Sequence, residues 1–193
     1  AQTDHQRANQ GQTSAPTQVR AKTLVNAAGP WVQQFIEQAI ARRSLRNVRL
    51  IKGSHILLPQ LFDGPQAFIL QNADKRVVFV TPYLGMSLVG TTDRPFDGDP
   101  AKVVIDDYEI EYLLQTINDY FIKQSQRSDI LHTYSGVRPL CDDESDDPQA
   151  VTRDYTLTLE NQNCPPLLTV YGGKLTTFRK LSEAALTKLQ PLL

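Results

Sequence analysis

A few short stretches of this sequence hold side chains that could do chemistry. Tyr171-Gly172-Gly173-Lys174-Leu175-Thr176-Thr177 places paired glycines, a lysine and two hydroxyls where a β-type run, Leu167 to Tyr171, gives way to a helical one. Glycines at such a junction let a ligand come close to the backbone. The new helix N-terminus adds free N–H groups and a partial positive charge, so the segment is a seat for an anion or a group becoming one. A phosphate-cradling loop of the G-x-x-x-x-G-K-[ST] type is excluded, because it needs glycine at Leu168 and a hydroxyl at Leu175. A plain strand–loop–helix with no ligand is the alternative that this segment leaves open.

Lys52-Gly53-Ser54-His55 lies inside an apolar strand-like run, so His55 can project from a sheet face. An imidazole titrates near neutrality, which suits taking a proton from an alcohol; a hydrogen-bonded structural histidine is the competing reading. Arg138 precedes Pro139, which biases it toward extended backbone and a fixed guanidinium able to grip phosphate or carboxylate. Arg153 could be a second anion ligand, although Asp154 beside it could neutralise it, and a surface ion pair is the simpler fate of each arginine. Gly90-Thr91-Thr92-Asp93 ends a strand with polar groups, useful either to hold a ligand or to close an Asx-type turn. The acidic run from Asp142 to Asp147 lacks the spacing and glycine of a calcium loop, so no metal site is expected there.

These residues need elements to hold them. Thr23 to Gly29 reads as a short buried-type strand, and Pro30 then opens a helix with an apolar stripe of Trp31, Val32, Phe35, Ile36, Ala39 and Ile40. Small residues at that strand end, Ala28 and Gly29, allow either close packing or the approach of a flat ligand. Strand-like runs follow at Val48 to Pro59, Ala67 to Gln71, Arg76 to Thr81 and Ser87 to Thr91, with short turn-rich links that imply antiparallel neighbours. Asp106 with Glu109 forms a capping box ahead of a helical face of Ile110, Leu113, Leu114, Ile117 and Phe121. Further strands are expected around Leu131 to Ser135 and Tyr155 to Leu159. Ala1 to Gln18, without Val, Leu, Ile or aromatic residues, reads as a loop or connector.

The fold class expected is α+β, a mixed and mostly antiparallel sheet with helices largely on one face. The chain's 193 residues can bury one good core. A net charge of −1 gives no case for nucleic acid or an acidic membrane surface. Cys141 and Cys164 fit no metal spacing and read most simply as reduced thiols of a cytoplasmic protein, with a disulfide as the alternative.

In order along the chain, Leu24-Val25-Asn26-Ala27-Ala28-Gly29-Pro30-Trp31, Leu50-Ile51-Lys52-Gly53-Ser54-His55, Gly90-Thr91-Thr92-Asp93, Tyr134 to Leu140, Thr152-Arg153-Asp154-Tyr155 and Gly172 to Thr177 resemble the aerobic FAD-dependent glycerol-3-phosphate dehydrogenases. These are a branch of the amino-acid-oxidase-like flavoproteins. The resemblance implies residues 1–45 as the trailing part of the FAD-binding domain, 46–160 as the substrate domain, and 161–193 as the returning strand–loop–helix of the FAD domain. It also implies oxidation of sn-glycerol 3-phosphate to dihydroxyacetone phosphate, with hydride passing from C2 to the flavin and electrons then to quinone.

The resemblance gives each candidate a role. His55 would be the general base or the group polarising the C2 oxygen. Arg138 and Arg153 would neutralise the phosphate or the developing oxyanion. Lys174, Gly173, Leu175 and Thr176 would face the flavin, with Ala28 and Gly29 leaving room for it. The family's G-x-G-x-x-G unit does not occur here, so the chain reads as a middle portion that alone binds FAD weakly or not at all and does not turn over. The family further implies a cytoplasmic enzyme peripherally bound to the inner membrane, with a dimer left open. An FAD-dependent amino-acid or 2-hydroxy-acid oxidase or dehydrogenase is the first alternative, and a non-catalytic anion- or protein-binding module the second.

Overall fold

Alternation along one long strand organises the molecule. The computed structural model describes residues 18–141, 154–162 and 164–193; Arg153 and the acidic run from Asp142 to Asp147 lie outside them. Strand β1 (Leu24–Asn26) leads into a 3₁₀ turn (Gly29–Trp31), α1 (Val32–Gln34) and a π-type turn (Phe35–Ala39). Then come β2 (Val48–Pro59), β3 (Phe68–Gln71), β4 (Val77–Tyr83), β5 (Met86–Gly90), β6 (Arg94–Pro95), α2 (Asp107–Tyr120) and β7 (His132–Cys141). The chain closes with β8 (Tyr155–Glu160), β9 (Leu167–Gly172), a 3₁₀ turn (Leu175–Thr177) and α3 (Phe178–Leu189).

The larger sheet is antiparallel throughout and centres on β2. β5 and β6 pair with one edge of β2, β7 pairs with the other, and β4 and β3 extend the sheet beyond β5. In the smaller sheet β9 runs parallel to β1 and antiparallel to β8. The mixed, mostly antiparallel α+β architecture is the one expected. β8, grouped by sequence with the substrate segment, hydrogen-bonds instead to β9.

Successive residues of β2 face opposite sides of the sheet. Ile56 and Leu58 join Val78, Val80, Val89 and Leu70 in the main core, covered by Ile110, Leu113, Leu114 and Ile117 of α2. Burying such side chains stabilises the packing by roughly 1.5–3 kcal/mol each. The capping box starts α2 as read from sequence: Asp106 Oδ1 accepts from Glu109 N–H and Glu109 Oε2 accepts from Asp106 N–H, both at 3.0 Å.

Two expectations fail. β1 is not a buried strand: Leu24 and Val25 are 43% and 45% exposed, and only Asn26 is covered. Among the described residues the strand lies at a sheet edge and bonds to β9 alone, so one flank and much of its surface stay open. The helix after Pro30 is not one regular α-helix, since Ile40 N–H reaches back to Phe35 O, a wider turn that rotates the apolar stripe. Val32 and Ile36 are buried, whereas Trp31 is 40% exposed.

Candidate active site

The second face of β2 carries Gly53 and His55, and the strand register sets their neighbours. His55 lies opposite Gly90 of β5 and Tyr134 of β7; Gly53 lies opposite Gly136, and Ile51 opposite Arg138. His55, Tyr134 and Arg138 therefore share one face, with a glycine gap between the ring pair and the guanidinium. His55 stacks on Tyr134 with centroids 4.6 Å apart and planes inclined by 6°.

Close approach explains two of the glycines. A Cβ on Gly53 would sit 2.5 Å and 2.6 Å from the Arg138 guanidinium nitrogens, and one on Gly90 would sit 2.2 Å from the His55 ring. His55 and Arg138 thus each lie across a strand where only glycine leaves room. Arg138 is further held by Asp93, at 2.6 Å, and by Thr91 Oγ1, which accepts at 2.9 Å. The Gly90-to-Asp93 segment is therefore the clamp of this arginine.

The electrostatics of His55 follow from its surroundings. Burial, and then the positive charge of Arg138, push its pKa below the ordinary 6.5. Among the described residues Nδ1 is buried without a hydrogen-bond partner. The lowered pKa favours the neutral ring at neutral pH, the form that can act as a general base or polarise the C2 oxygen.

The glycine bend uses the backbone freedom of both its glycines. Gly172 and Gly173 adopt φ of +72° and +97°, a region L side chains avoid. Lys174 and Leu175 are exposed, and Thr177 closes the first turn by donating from both N–H and Oγ1 to Lys174 O. The N–H groups of Leu175 and Thr176 begin the helical segment and so lack intrahelical partners. The bend abuts β7 just past the arginine: a Cβ on Gly172 would lie 3.7 Å from Pro139 O. The Gly29–Trp31 turn also packs against β7, and a Cβ on Gly29 would meet open space.

The structure thus sets His55 and Arg138 on one sheet face across a glycine gap and places the Gly172–Lys174 bend beside the end of β7. Sequence reading gave Tyr134, Gly53 and Gly90 no role. Gly53, two residues before His55, was the available signal, but its meaning needs the pairing of β2 with β5 and β7. Cys141 and Cys164 are both free. A separate cleft of about 530 Å³ lined by Arg42, Leu159, Glu160 and Cys164 holds none of the expected residues.

The profile of the family described as FAD dependent oxidoreductase matches residues 2–179. The chain is 58% identical over 175 residues to a glycerol-3-phosphate dehydrogenase of Pseudomonas aeruginosa, covering 90% of the chain and 34% of that relative. It is 57% identical to the aerobic glycerol-3-phosphate dehydrogenase of Escherichia coli, covering 89% of the chain and 35% of the relative. The crystal structure of the glycerol-3-phosphate dehydrogenase from Bacillus halodurans complexed with FAD superposes with a TM-score of 0.75 at 28% identity, over 90% of this chain and 33% of that one. The chain therefore spans about a third of the length of the relatives it matches. By the extent of this match, the chain belongs to the FAD-dependent oxidoreductase family.

Proposed function

We propose that this chain supplies the substrate wall and one cofactor edge of an FAD-dependent dehydrogenase that oxidises sn-glycerol 3-phosphate to dihydroxyacetone phosphate. The observation that carries the reading is an imidazole and a clamped guanidinium on one open sheet face, separated by glycines. The spacing suits a small alcohol with an anionic tail.

The residues present fit FAD. Gly29 faces open space, the Gly172–Gly173 bend admits close approach, and the first turn after Lys174 offers free N–H groups and a cation. Ala28, Gly29, Gly173, Lys174, Leu175 and Thr176 would hold the cofactor's edge. FAD, when bound, supplies the hydride acceptor. A helix N-terminus and a lysine at that edge favour negative charge there.

Arg138 would hold the phosphate, kept in place by Thr91 and Asp93 so that little side-chain freedom is lost on binding. His55 would hold the C2 hydroxyl and, as a neutral imidazole, take its proton as C2 is oxidised to the carbonyl. Arg153 would add a second positive charge. Quinone as final acceptor, attachment to the cytoplasmic side of the inner membrane and dimerisation rest on the family resemblance. Among the described residues no helix is long and apolar enough to cross a membrane.

The test is dye reduction by an enzyme of the relatives' full length carrying this chain, against glycerol 3-phosphate, glycerol, 2-hydroxy acids and amino acids. Turnover confined to the phosphorylated substrate is expected. Equal or faster turnover of a carboxylate substrate would overturn the phosphate assignment.

A further inference from the structure

The opposite face of β2 carries a network that this mechanism does not use. Glu109 of α2 is fully buried, and both its oxygens are doubly occupied. Oε1 accepts from Thr92 Oγ1 at 2.6 Å and from Ser54 Oγ at 3.0 Å. Oε2 pairs with Lys52 Nζ at 2.7 Å and accepts from Asp106 N–H at 3.0 Å. Thr92 Oγ1 in turn accepts from Ser54 N–H at 2.8 Å, and the hydroxyls of Ser54 and Ser135 bond to each other at 2.8 Å.

Every partner of Oε1 is next in sequence to a residue of the open face. Ser54 lies between Gly53 and His55, and Ser135 precedes Gly136 and follows Tyr134, the ring under His55. Thr92 lies between Thr91 and Asp93, the two residues that clamp Arg138. Ser54 and Ser135 lie in strands, where side chains alternate, so a tie on one face fixes the residue beside it on the other; Thr92 lies in the link between β5 and β6, where its tie holds the backbone of the two clamp residues beside it.

Resting on the reading above, we infer that Glu109 is a positioning residue. Through Thr92 and Ser54 it locks the imidazole of His55 and the guanidinium of Arg138 into one rigid relative geometry. It touches neither substrate nor cofactor. Its carboxylate is paired with the Lys52 ammonium at 2.7 Å, so the aimed acceptor carries its counter-charge with it.

The test uses the full-length enzyme and two readouts. Thr92→Val removes the hydroxyl at nearly constant shape and protects the test should Glu109→Gln fail to fold. In either variant the His55 pKa, followed by NMR of the ring protons, is expected to rise toward 6.5 as Arg138 drifts away. Glycerol 3-phosphate kcat/KM is expected to fall about 10- to 100-fold, with both kcat and KM affected. Asn72→Ala is the control. It breaks bonds to Tyr112 and Thr116, on another part of α2, and is expected to lower the melting temperature while leaving His55 and the kinetics unchanged. In an Arg138→Ala background Thr92→Val should cost less than about threefold more.

A Thr92→Val enzyme with an unmoved His55 titration, or an equal shift in Asn72→Ala, overturns the inference. Full additivity with Arg138→Ala does the same. A wild-type enzyme inactive on glycerol 3-phosphate overturns the substrate reading instead, and the NMR comparison still decides the role of Glu109.

Discussion

The two faces of β2 use the same strand in opposite ways. On the covered face Lys52 donates to Glu109, Asp106 and the carbonyl of Val104, so its three N–H groups are all answered. Burial opposes its charge, but hydrogen bonds to Glu109 and Asp106 outweigh that and hold the ammonium above its usual range. On the open face His55 keeps a buried nitrogen with no partner among the described residues, and Arg138 remains 40% exposed beside Asp93. Saturated polar groups hold a fold; groups with binding capacity to spare are where a ligand can gain affinity.

That contrast can be broken first on the covered side. Lys52→Met leaves Glu109 buried and charged with no cation of its own, and should cost about 3–5 kcal/mol in chemical denaturation. A loss under about 1 kcal/mol would mean the carboxylate finds water or a new partner.

On the open side the effects should fall on function. Arg138→Ala in the full-length enzyme should lower kcat/KM for glycerol 3-phosphate about 10- to 100-fold, mostly through KM, with a much smaller change in stability. A large fall in melting temperature with normal kinetics would make Arg138 a structural ion pair with Asp93. His55 sharpens the comparison through its titration. Burial and Arg138 lower its pKa, so the folded chain binds fewer protons than the unfolded one as pH falls from 6.5 through the lowered value. Stability attributable to this group is intact above 6.5 and is lost below it. NMR titration should give a value under 6.5 that moves up in Arg138→Ala; a value at or above 6.5 would contradict the neutral ring. The smallest effect is expected for Tyr134→Phe, which keeps the stacked ring and should change kcat/KM by less than about threefold.

Much of this fold was written locally. Val48 to Pro59 reads as a strand from its apolar run alone, and its observed ends agree. The capping box at Asp106 and Glu109 marks the start of α2 because both partners lie within one turn. Gly172 and Gly173 announce a bend only they can make. The polar clusters were not legible, for a physical reason. Lys52 meets Glu109, and Arg138 meets Asp93, only after β2 has paired with β6 and β7, and contacts between residues so far apart in sequence leave no periodic trace. Strand β7 was read too short, ending near Ser135, because Pro139 argues against a ladder. It continues to Cys141 because β7 lies at the sheet edge, where a missing N–H goes unneeded. The exposure of β1 was hidden too, since strand composition says nothing about whether a sheet edge is covered.

The central claim is that His55 and Arg138 together face the substrate. Anaerobic mixing of the full-length enzyme with glycerol 3-phosphate, following loss of flavin absorbance, separates the limiting reduction rate from the apparent Kd. His55→Ala should slow the limiting rate with little change in Kd, and Arg138→Ala should raise Kd. Wild-type rates and Kd in both variants would contradict the account.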